Sequence, residues 1–177
     1  MKIVLHICCG VCAAGAAHTL LVEGHEITGY FYNPNISPAD EYHRRLEASR
    51  QAANYLGFRL NEGPYDTANW YAIAAPLAGE PEGGRRCEAC YRLRLKQTFC
   101  YMIECGADAF TTTLTISPHK SALIINRVGR EIGKDKFLLR DFKKKEGFRQ
   151  ANELARKWGL YHQNYCGCEY SLRGAQR

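Results

Sequence analysis

The chain has 177 residues, of which 24% are charged and 46% are hydrophobic, and its formal net charge at pH 7 is +6. No apolar run approaches the roughly 20 residues of a membrane-spanning helix, so we expect no membrane insertion and one domain of ordinary size. The basic excess favours a polyanionic partner, although many basic proteins bind no nucleic acid.

The amino terminus carries a short apolar stretch that is interrupted by His6. Such a stretch is too short and too polar for a secretory signal, so we expect a cytoplasmic protein. Thiols stay reduced in that compartment. An odd number of cysteines with CxxC spacing is there more typical of metal ligands or catalytic thiols than of structural disulfides.

The first part of the chain alternates predicted strands and helices. A short apolar run over residues 2–7 predicts a strand that stops at the first cysteines, and the helix-like segment after it ends at Gly24. The segment EITGYFY predicts a second strand. Ser37 as N-cap and Pro38 at the first helical position predict the next helix, and residues 58–60 form a short third apolar stretch.

The rest of the chain continues the alternation after a turn-rich region over residues 62–84. A long helix is predicted over 86–104, and AFTTTLT predicts the strand that follows it. Ser117 and Pro118 repeat the serine-proline pattern of a helix start. KFLLRDF predicts another strand, and a final helix is predicted over 147–158.

This alternation predicts the α/β fold class: a single Rossmann-like domain over residues 1–177, with a parallel sheet, helices on both faces and a C-terminal segment that contains CGC. Ligands of such sheets bind beyond the carboxyl ends of the strands. The segments HICC, FYNPN, TTTLTISP and RDFKKK all end there. We therefore expect their polar and sulfur-bearing residues to share one edge of the sheet.

Seven of the nine cysteines lie in three clusters beside predicted turns: Cys8, Cys9, Cys12, Cys87, Cys90, Cys166 and Cys168. We expect the fold to gather them into one metal or redox site. Cys87 and Cys90 stand at the amino end of a helix, where backbone N–H groups and neighbouring arginines favour thiolates. Cys100 and Cys105 stand apart, and we expect them to have no role in the site.

A turn after the first strand lets Cys8 and Cys9 face one ligand, and with Cys87 and Cys90 they form a four-sulfur set suited to zinc or to a [4Fe–4S] cluster. Cys12 could replace one member of the adjacent pair, but we expect it to pack beneath the loop.

Cys166 and Cys168 flank a single glycine. This spacing allows either a strained disulfide that relays electrons or two ligands of one metal ion. Asp141 could be a proton donor, a metal ligand or an ion-pair partner of the lysines after it. Further polar residues at the same predicted edge could bind substrate or serve as caps and turn residues: Asn33, Asn35, Thr111, Thr112, Thr113 and Ser117.

The order of motifs closely resembles the cobalamin-independent epoxyqueuosine reductases, the QueH family. The motifs are HxCC, FYNPNIxPxxEYxxR, RCxxCYxxRL, FTTTLxxSPxK, DFKK and YxQxYCGCxxS, and they match residues 6–9, 31–44, 86–95, 110–120, 141–144 and 161–171. Val11 departs from the family, in which proline often precedes the third cysteine of the first motif.

The resemblance implies a fold of the adenine nucleotide alpha-hydrolase type and the two-electron reduction of the epoxide of epoxyqueuosine, at the wobble position of tRNA, to the alkene of queuosine. It implies a [4Fe–4S] cluster on Cys8, Cys9, Cys87 and Cys90, allows an adjacent mononuclear iron, and requires no cobalamin. Cys166 and Cys168 would be a redox-active pair, Asp141 a catalytic residue, and electrons would come from an external donor.

Two other functions are compatible with the same cysteines. One is a zinc-structured RNA-binding module without catalysis, which the metal content of the protein would distinguish. The other is a thiol–disulfide oxidoreductase that acts on proteins, but a lone dithiol would leave the HICC motif unexplained.

Overall fold

A four-stranded parallel sheet forms the centre of the protein, in a computed structural model that describes residues 1–174. Residues 175–177, the end of the predicted domain 1–177, lie outside the described residues. The strands are β1 (Lys2–His6), β2 (Glu26–Phe31), β3 (Arg59–Glu62) and β4 (Ala109–Thr112). They stand in the order β3-β2-β1-β4, and every pair is parallel.

Helices cover both faces of this sheet. The helices are α1 (Gly10–Val22), α2 (Ala39–Leu56), α3 (Thr67–Ala74), α4 (Arg85–Glu104), α5 (Ala122–Gly133), α6 (Gly147–Lys157) and α7 (Glu169–Gly174). One group consists of α1 with α2 and α6, and a second consists of α4 with α5. The architecture confirms the predicted α/β domain. No helix within residues 1–174 has the length and apolar character needed to cross a membrane.

The central strand β1 is buried on both faces, as expected for a parallel sheet between helices. Ile3, Leu5 and Ile7 pack into the core under α1 and α2, whereas Val4 packs into the core under α4 and α5. Successive side chains of a strand point to opposite faces, so one apolar run supplies both cores.

Helix α1 begins directly after Cys9 and approaches its neighbours closely. A Cβ at Gly10 would lie 2.5 Å from the carbonyl oxygen of Ala48 on α2, and a Cβ at Gly15 would lie 2.6 Å from the Cβ of Ala151 on α6. Any side chain at these positions would collide with the neighbouring helix, so glycine fits there. The two glycines therefore fix the position of α1 and of the cysteines at its start.

Both predicted serine-proline helix starts are wrong. Helix α2 begins at Ala39 with Pro38 as its N-cap, and Ser37 makes no capping hydrogen bond. Its backbone N–H donates to the carbonyl of Gly167 instead, at 2.8 Å. Helix α5 begins at Ala122 because the hydroxyl of Ser121 accepts from the backbone N–H of Ile124, so the helix starts later than Ser117.

The prediction of a strand over KFLLRDF is also wrong, except for a single β-bridge to the sheet. Phe137 pairs with Phe110 of β4, and the Leu138 N–H donates to the Phe110 carbonyl. The side-chain amide of Asn126 then forms hydrogen bonds with both the backbone N–H and the carbonyl of Arg140. Because α5 satisfies these backbone groups, the segment leaves the sheet after one contact.

Candidate metal and redox site

The register of the sheet gathers the predicted site residues at its carboxyl edge. His6, the last residue of β1, stands opposite Tyr30 of β2 and Thr112 of β4. The segments that follow the three strands therefore begin side by side. The backbone N–H of Cys8 donates to the hydroxyl of Thr113 at 3.1 Å, which ties the turn after β1 to the turn after β4.

Three sulfur atoms meet in that turn and form what we name the cysteine triad: Cys8, Cys9 and Cys12. Their Sγ atoms all lie within 4.8 Å of one another, and the Cys8 and Cys9 sulfurs are 3.8 Å apart. Cys12 is buried, as expected beneath a loop, but its sulfur also belongs to this group. The triad offers soft thiolate ligands of the kind that bind zinc or iron.

Polar contacts favour a thiolate in the triad. Hydrogen bonds from Cys12 and then Cys9 hold the pKa of Cys8 below its ordinary range. The Thr113 hydroxyl donates to Cys8 Sγ at 3.2 Å, and Gln163 donates from Nε2 to Cys9 Sγ at 2.8 Å. Gln163 was not singled out from the sequence, because only the fold brings the chain end to β1.

The other four clustered cysteines line one cavity and form what we name the cavity group: Cys87, Cys90, Cys166 and Cys168. The cavity is further lined by Asn35, Trp70, Glu82, Gly83, Arg86, Tyr91, Arg94, His119 and Lys120. The fold thus brings CxxC and CGC together. The four predicted cluster ligands are divided between the triad and this group.

The expected thiolate character of CxxC is not present in the structure. Burial raises the pKa of both Cys87 and Cys90, although the Gly83 N–H donates to Cys87 Sγ at 3.2 Å. The charge of Arg86 lowers the pKa of Cys87 by less than burial raises it, and the Arg86 guanidinium donates to the carbonyls of Leu77, Ala78 and Glu80. Desolvation raises the pKa of these thiols by more than the amino end of the helix lowers it.

Cys166 and Cys168 are free cysteines, and their side chains form a hydrogen bond with each other. The hydrogen bond from Cys168 is the main cause that lowers the pKa of Cys166 to about 5, and the same hydrogen bond raises the pKa of Cys168. The Cys168 N–H also lies 3.4 Å from Cys166 Sγ. Gly167 between them has a φ of 102°, a backbone conformation that favours glycine.

Helix α2 fixes the position of CGC through a buried ion pair. Arg45 Nε donates to Glu41 Oε1 at 2.6 Å, and both side chains are almost fully buried. The remaining guanidinium nitrogens donate to the carbonyls of Tyr165 and Cys166. Tyr161 donates to the second oxygen of Glu41 at 2.7 Å. The pair therefore holds the chain from Tyr161 to Cys166, directly before and at the first cysteine of CGC.

Asp141 lies 3.4 Å from the ammonium of Lys143, and it is not among the residues that line the cavity. Of the three predicted roles, the structure displays the ion pair. Lys143 also donates to the carbonyls of Lys120 and Thr115. Lys143, Lys144 and Lys145 form what we name the lysine-rich turn. Because Lys120 lines the cavity, this turn lies beside the rim of the cavity.

The other polar candidates divide between structural and open positions. Asn33 donates to the Ile7 carbonyl, so it holds β1 and β2 together at their ends. Asn35 lines the cavity, and its Oδ1 has no hydrogen-bond partner among the described residues. Thr111 donates to the Leu138 carbonyl, and Thr112 contacts Nδ1 of His6.

Two of the arginines near CxxC are not available to a phosphate backbone. Arg86 and Arg94 are buried, with exposed fractions of 4% and 3%. Arg92 is exposed but pairs with Glu131 on α5. Arg94 lies one helical turn after Cys90, and this spacing was the signal in the sequence that it faces the cysteines rather than solvent.

Comparisons with known proteins show the family to which the chain belongs. The family model of Epoxyqueuosine reductase QueH matches residues 3–174. The chain is 38% identical to the Epoxyqueuosine reductase QueH of Streptococcus pyogenes over 97% of its own length and 71% of that protein. Identity to the protein of the same name from Thermotoga maritima is 33%, over 96% of this chain and 90% of the relative.

A solved structure shares the fold at low sequence identity. It is the U34-tRNA thiolase NcsA from Methanococcus maripaludis with its [4Fe-4S] cluster, with a TM-score of 0.56 and 14% identity. The match covers 99% of this chain and spans 63% of the length of the thiolase, so it supports the fold alone. With nearly the whole chain matched by the family model and by relatives above 30% identity, the chain belongs to the epoxyqueuosine reductase QueH family.

Proposed function

We propose that this protein is an epoxyqueuosine reductase that acts on tRNA. The reaction converts the epoxide of the modified base, two electrons and two protons into an alkene and one molecule of water. The observation that carries the proposal is the convergence of seven cysteines at one sheet edge in a chain of this family. That edge is where ligands of parallel α/β sheets bind.

The donor set fits an iron–sulfur cofactor. We propose Cys8, Cys9, Cys87 and Cys90 as ligands of a [4Fe–4S] cluster, which would transfer electrons one at a time. Two observations support joining the two groups of cysteines. Cys8 and Cys87 pack against the same apolar core, and Arg94 contacts Cys90 while its charge also lowers the pKa of Cys8. Cys12 leaves a third triad sulfur that could hold an adjacent mononuclear iron.

The CGC segment would serve as the second redox element. When Cys166 and Cys168 close to a disulfide, the thiolate and the thiol release two electrons and one proton. With a second proton taken up from solvent, this is what opening the epoxide to an alkene and water consumes. An external donor would restore the dithiol. The low pKa of Cys166 supports this role, because the thiolate is the reactive form.

The cavity between CxxC and CGC would receive the modified base. The buried oxygen of Asn35 has no partner and could accept a hydrogen bond from the base, while His119 and Lys120 stand in the same lining. Asp141 would be a catalytic residue, and it connects to this rim through Lys143. The exposed lysines beside the rim would bind phosphates of tRNA in the cytoplasm.

The direct test is conversion of the substrate by protein reconstituted anaerobically with iron and sulfide. We expect epoxyqueuosine in tRNA to become queuosine in the presence of a strong reductant, measured by nucleoside mass spectrometry as the loss of one oxygen. Protein kept free of metal is the control. Zinc without iron in freshly isolated anaerobic protein, together with tRNA binding and no conversion, would instead support a zinc-structured RNA-binding module.

A further inference from the structure

Arg94 is a buried arginine whose charge has no carboxylate partner. It projects from α4 with an exposed fraction of 3%, and no Asp or Glu in residues 1–174 forms an ion pair with it. Arg45 is buried to the same degree but is held by Glu41 at 2.6 Å. A buried cation without a counter-ion is strongly disfavoured, because a guanidinium stays protonated in proteins.

The neighbours of Arg94 identify where the missing negative charge would lie. Its Nη2 donates to Asn33 Oδ1 at 2.6 Å, and its Nε lies 3.4 Å from Nε2 of His6. An amide carries no charge. The imidazole of His6 carries no negative charge whether it is neutral or protonated. Neither group can balance the guanidinium.

Thiols are the acidic groups that remain around this arginine. Nη1 of Arg94 lies 3.8 Å from Sγ of Cys90 in the cavity group, and the arginine acts electrostatically on Cys8 in the triad. The guanidinium therefore contacts a sulfur of the cavity group and acts on a sulfur of the triad. Thiolates that bind a metal are negatively charged, and an iron–sulfur centre gains further negative charge when it is reduced.

We propose that Arg94 is the counter-ion of the metal centre bound by these cysteines and that it raises the reduction potential of that centre. The inference rests on the proposed function, because it needs a redox-active centre at this edge of the sheet. Arg94 is a positioning residue in this account: its fixed charge favours the reduced form of the centre, and it exchanges neither electrons nor protons.

The test is an anaerobic redox titration of reconstituted Arg94→Gln, followed by electron paramagnetic resonance of the reduced centre. We expect the midpoint potential to fall by about 59 mV or more, which is a tenfold weaker equilibrium for uptake of one electron. Arg94→Lys keeps the charge, so its shift should be less than half as large. Arg92→Gln is the matched control, because it removes an exposed arginine from the same helix and should leave the potential unchanged.

If Arg94→Gln has the same midpoint potential as the wild type at equal iron content, the counter-ion proposal is overturned and the proposed function is unaffected. Wild-type protein that takes up no redox-active centre would overturn both. If Arg94→Gln binds no iron, the redox titration of Arg94→Lys tests the proposal instead, and we again expect the midpoint potential to fall.

Metal-free stability gives a second, independent readout. Without the metal centre the charge of Arg94 is unbalanced, so Arg94→Met should unfold at an equal or higher urea concentration than the wild type. Arg45→Met, which breaks a complete buried ion pair, should unfold at a clearly lower one. Equal losses in the two metal-free variants would contradict the proposal, because they would show that Arg94 is already compensated.

Discussion

Cys166 and Cys168 differ in protonation although they are separated by one residue. The hydrogen bond between them lowers the pKa of Cys166 to about 5 and raises that of Cys168, so a thiolate and a thiol coexist at neutral pH. The attacking thiolate and its resolving thiol are then already in place for disulfide formation. At the scale of single residues, the redox proposal depends on this difference.

The alkylation rate of Cys166 in metal-free protein should reveal its pKa. Iodoacetamide reacts with the thiolate, so we expect a nearly constant rate from about pH 8 to pH 6 and a roughly tenfold fall per unit below about pH 5. Peptide mass spectrometry measures the rate at Cys166. In Cys168→Ala the main cause of the low pKa is lost, and the fall should move to higher pH. A wild-type rate that rises steeply between about pH 7 and pH 9 would contradict the assignment.

The grouping of the cysteines was predictable from sequence only in part. The spacing of CxxC and CGC predicts paired sulfurs, because both pairs are local. The proximity of Cys12 to Cys8 and Cys9 depends on the turn into α1, which two glycine contacts with α2 and α6 determine. The burial that raises the pKa of Cys87 likewise depends on packing between distant segments, which no local pattern encodes.

Helix α2 is the element that holds the CGC segment in place. Glu41 and Arg45 lie one helical turn apart. Arg45 donates to the carbonyls of Tyr165 and Cys166, and Glu41 accepts from the hydroxyl of Tyr161. An ion pair at this spacing on a helix is usually exposed to solvent and contributes little to the stability of the protein. Here the C-terminal segment covers it, and the pair becomes a buried anchor.

Glu41→Gln should destabilise the protein by about 3 kcal/mol, because it leaves the buried Arg45 without its counter-ion. Urea unfolding measures the cost, and hydrogen exchange at residues 165–168 should become faster. Glu47→Gln is the matched control on the same helix. Its carboxylate is 60% exposed and 3.8 Å from Arg50, so we expect a change below about 0.5 kcal/mol. Similar costs for the two variants would show that the anchor is unimportant.

The elements themselves follow from sequence where the pattern is long and apolar. Helices α2 and α4 and strand β1 lie close to their predicted positions. The errors occur where a side chain forms hydrogen bonds with backbone groups that the sequence pattern assigns to a helix or a strand. Ser121 caps α5 in place of Ser117, and Asn126 draws Arg140 away from the sheet.

At the scale of the whole molecule, the two groups of cysteines and the lysine-rich turn share the carboxyl edge of the sheet. The turn is fixed there by Lys143, which reaches the carbonyl of Lys120 in the cavity lining. Lys144 and Lys145 are exposed and form no ion pair among the described residues. In the proposed function, these charges would bind phosphates of the tRNA whose modified base enters the cavity.

Replacing Lys144 and Lys145 together by alanine should weaken tRNA binding and reduce its dependence on salt. Each lost phosphate contact lowers the slope of log affinity against log salt by about 0.7 to 0.9, so we expect a total change of about 1.5. Fluorescence anisotropy at several salt concentrations measures the slope. The control is the double alanine variant of Lys134 and Lys136, which lie beside the Phe137 bridge to β4 and away from the cavity. Equal slopes for the two double variants would exclude the lysine-rich turn from the tRNA interface.

The central claim is that the converging cysteines hold the iron–sulfur centre that reduces the epoxide, and the comparison of Cys87→Ser with Cys100→Ser tests it most directly. Both residues lie on α4, but Cys87 lines the cavity and Cys100 is exposed. After anaerobic reconstitution we expect Cys87→Ser to lack both the brown iron–sulfur absorption and the conversion of epoxyqueuosine in tRNA, whereas Cys100→Ser retains both. Wild-type iron content and conversion in Cys87→Ser would contradict the account.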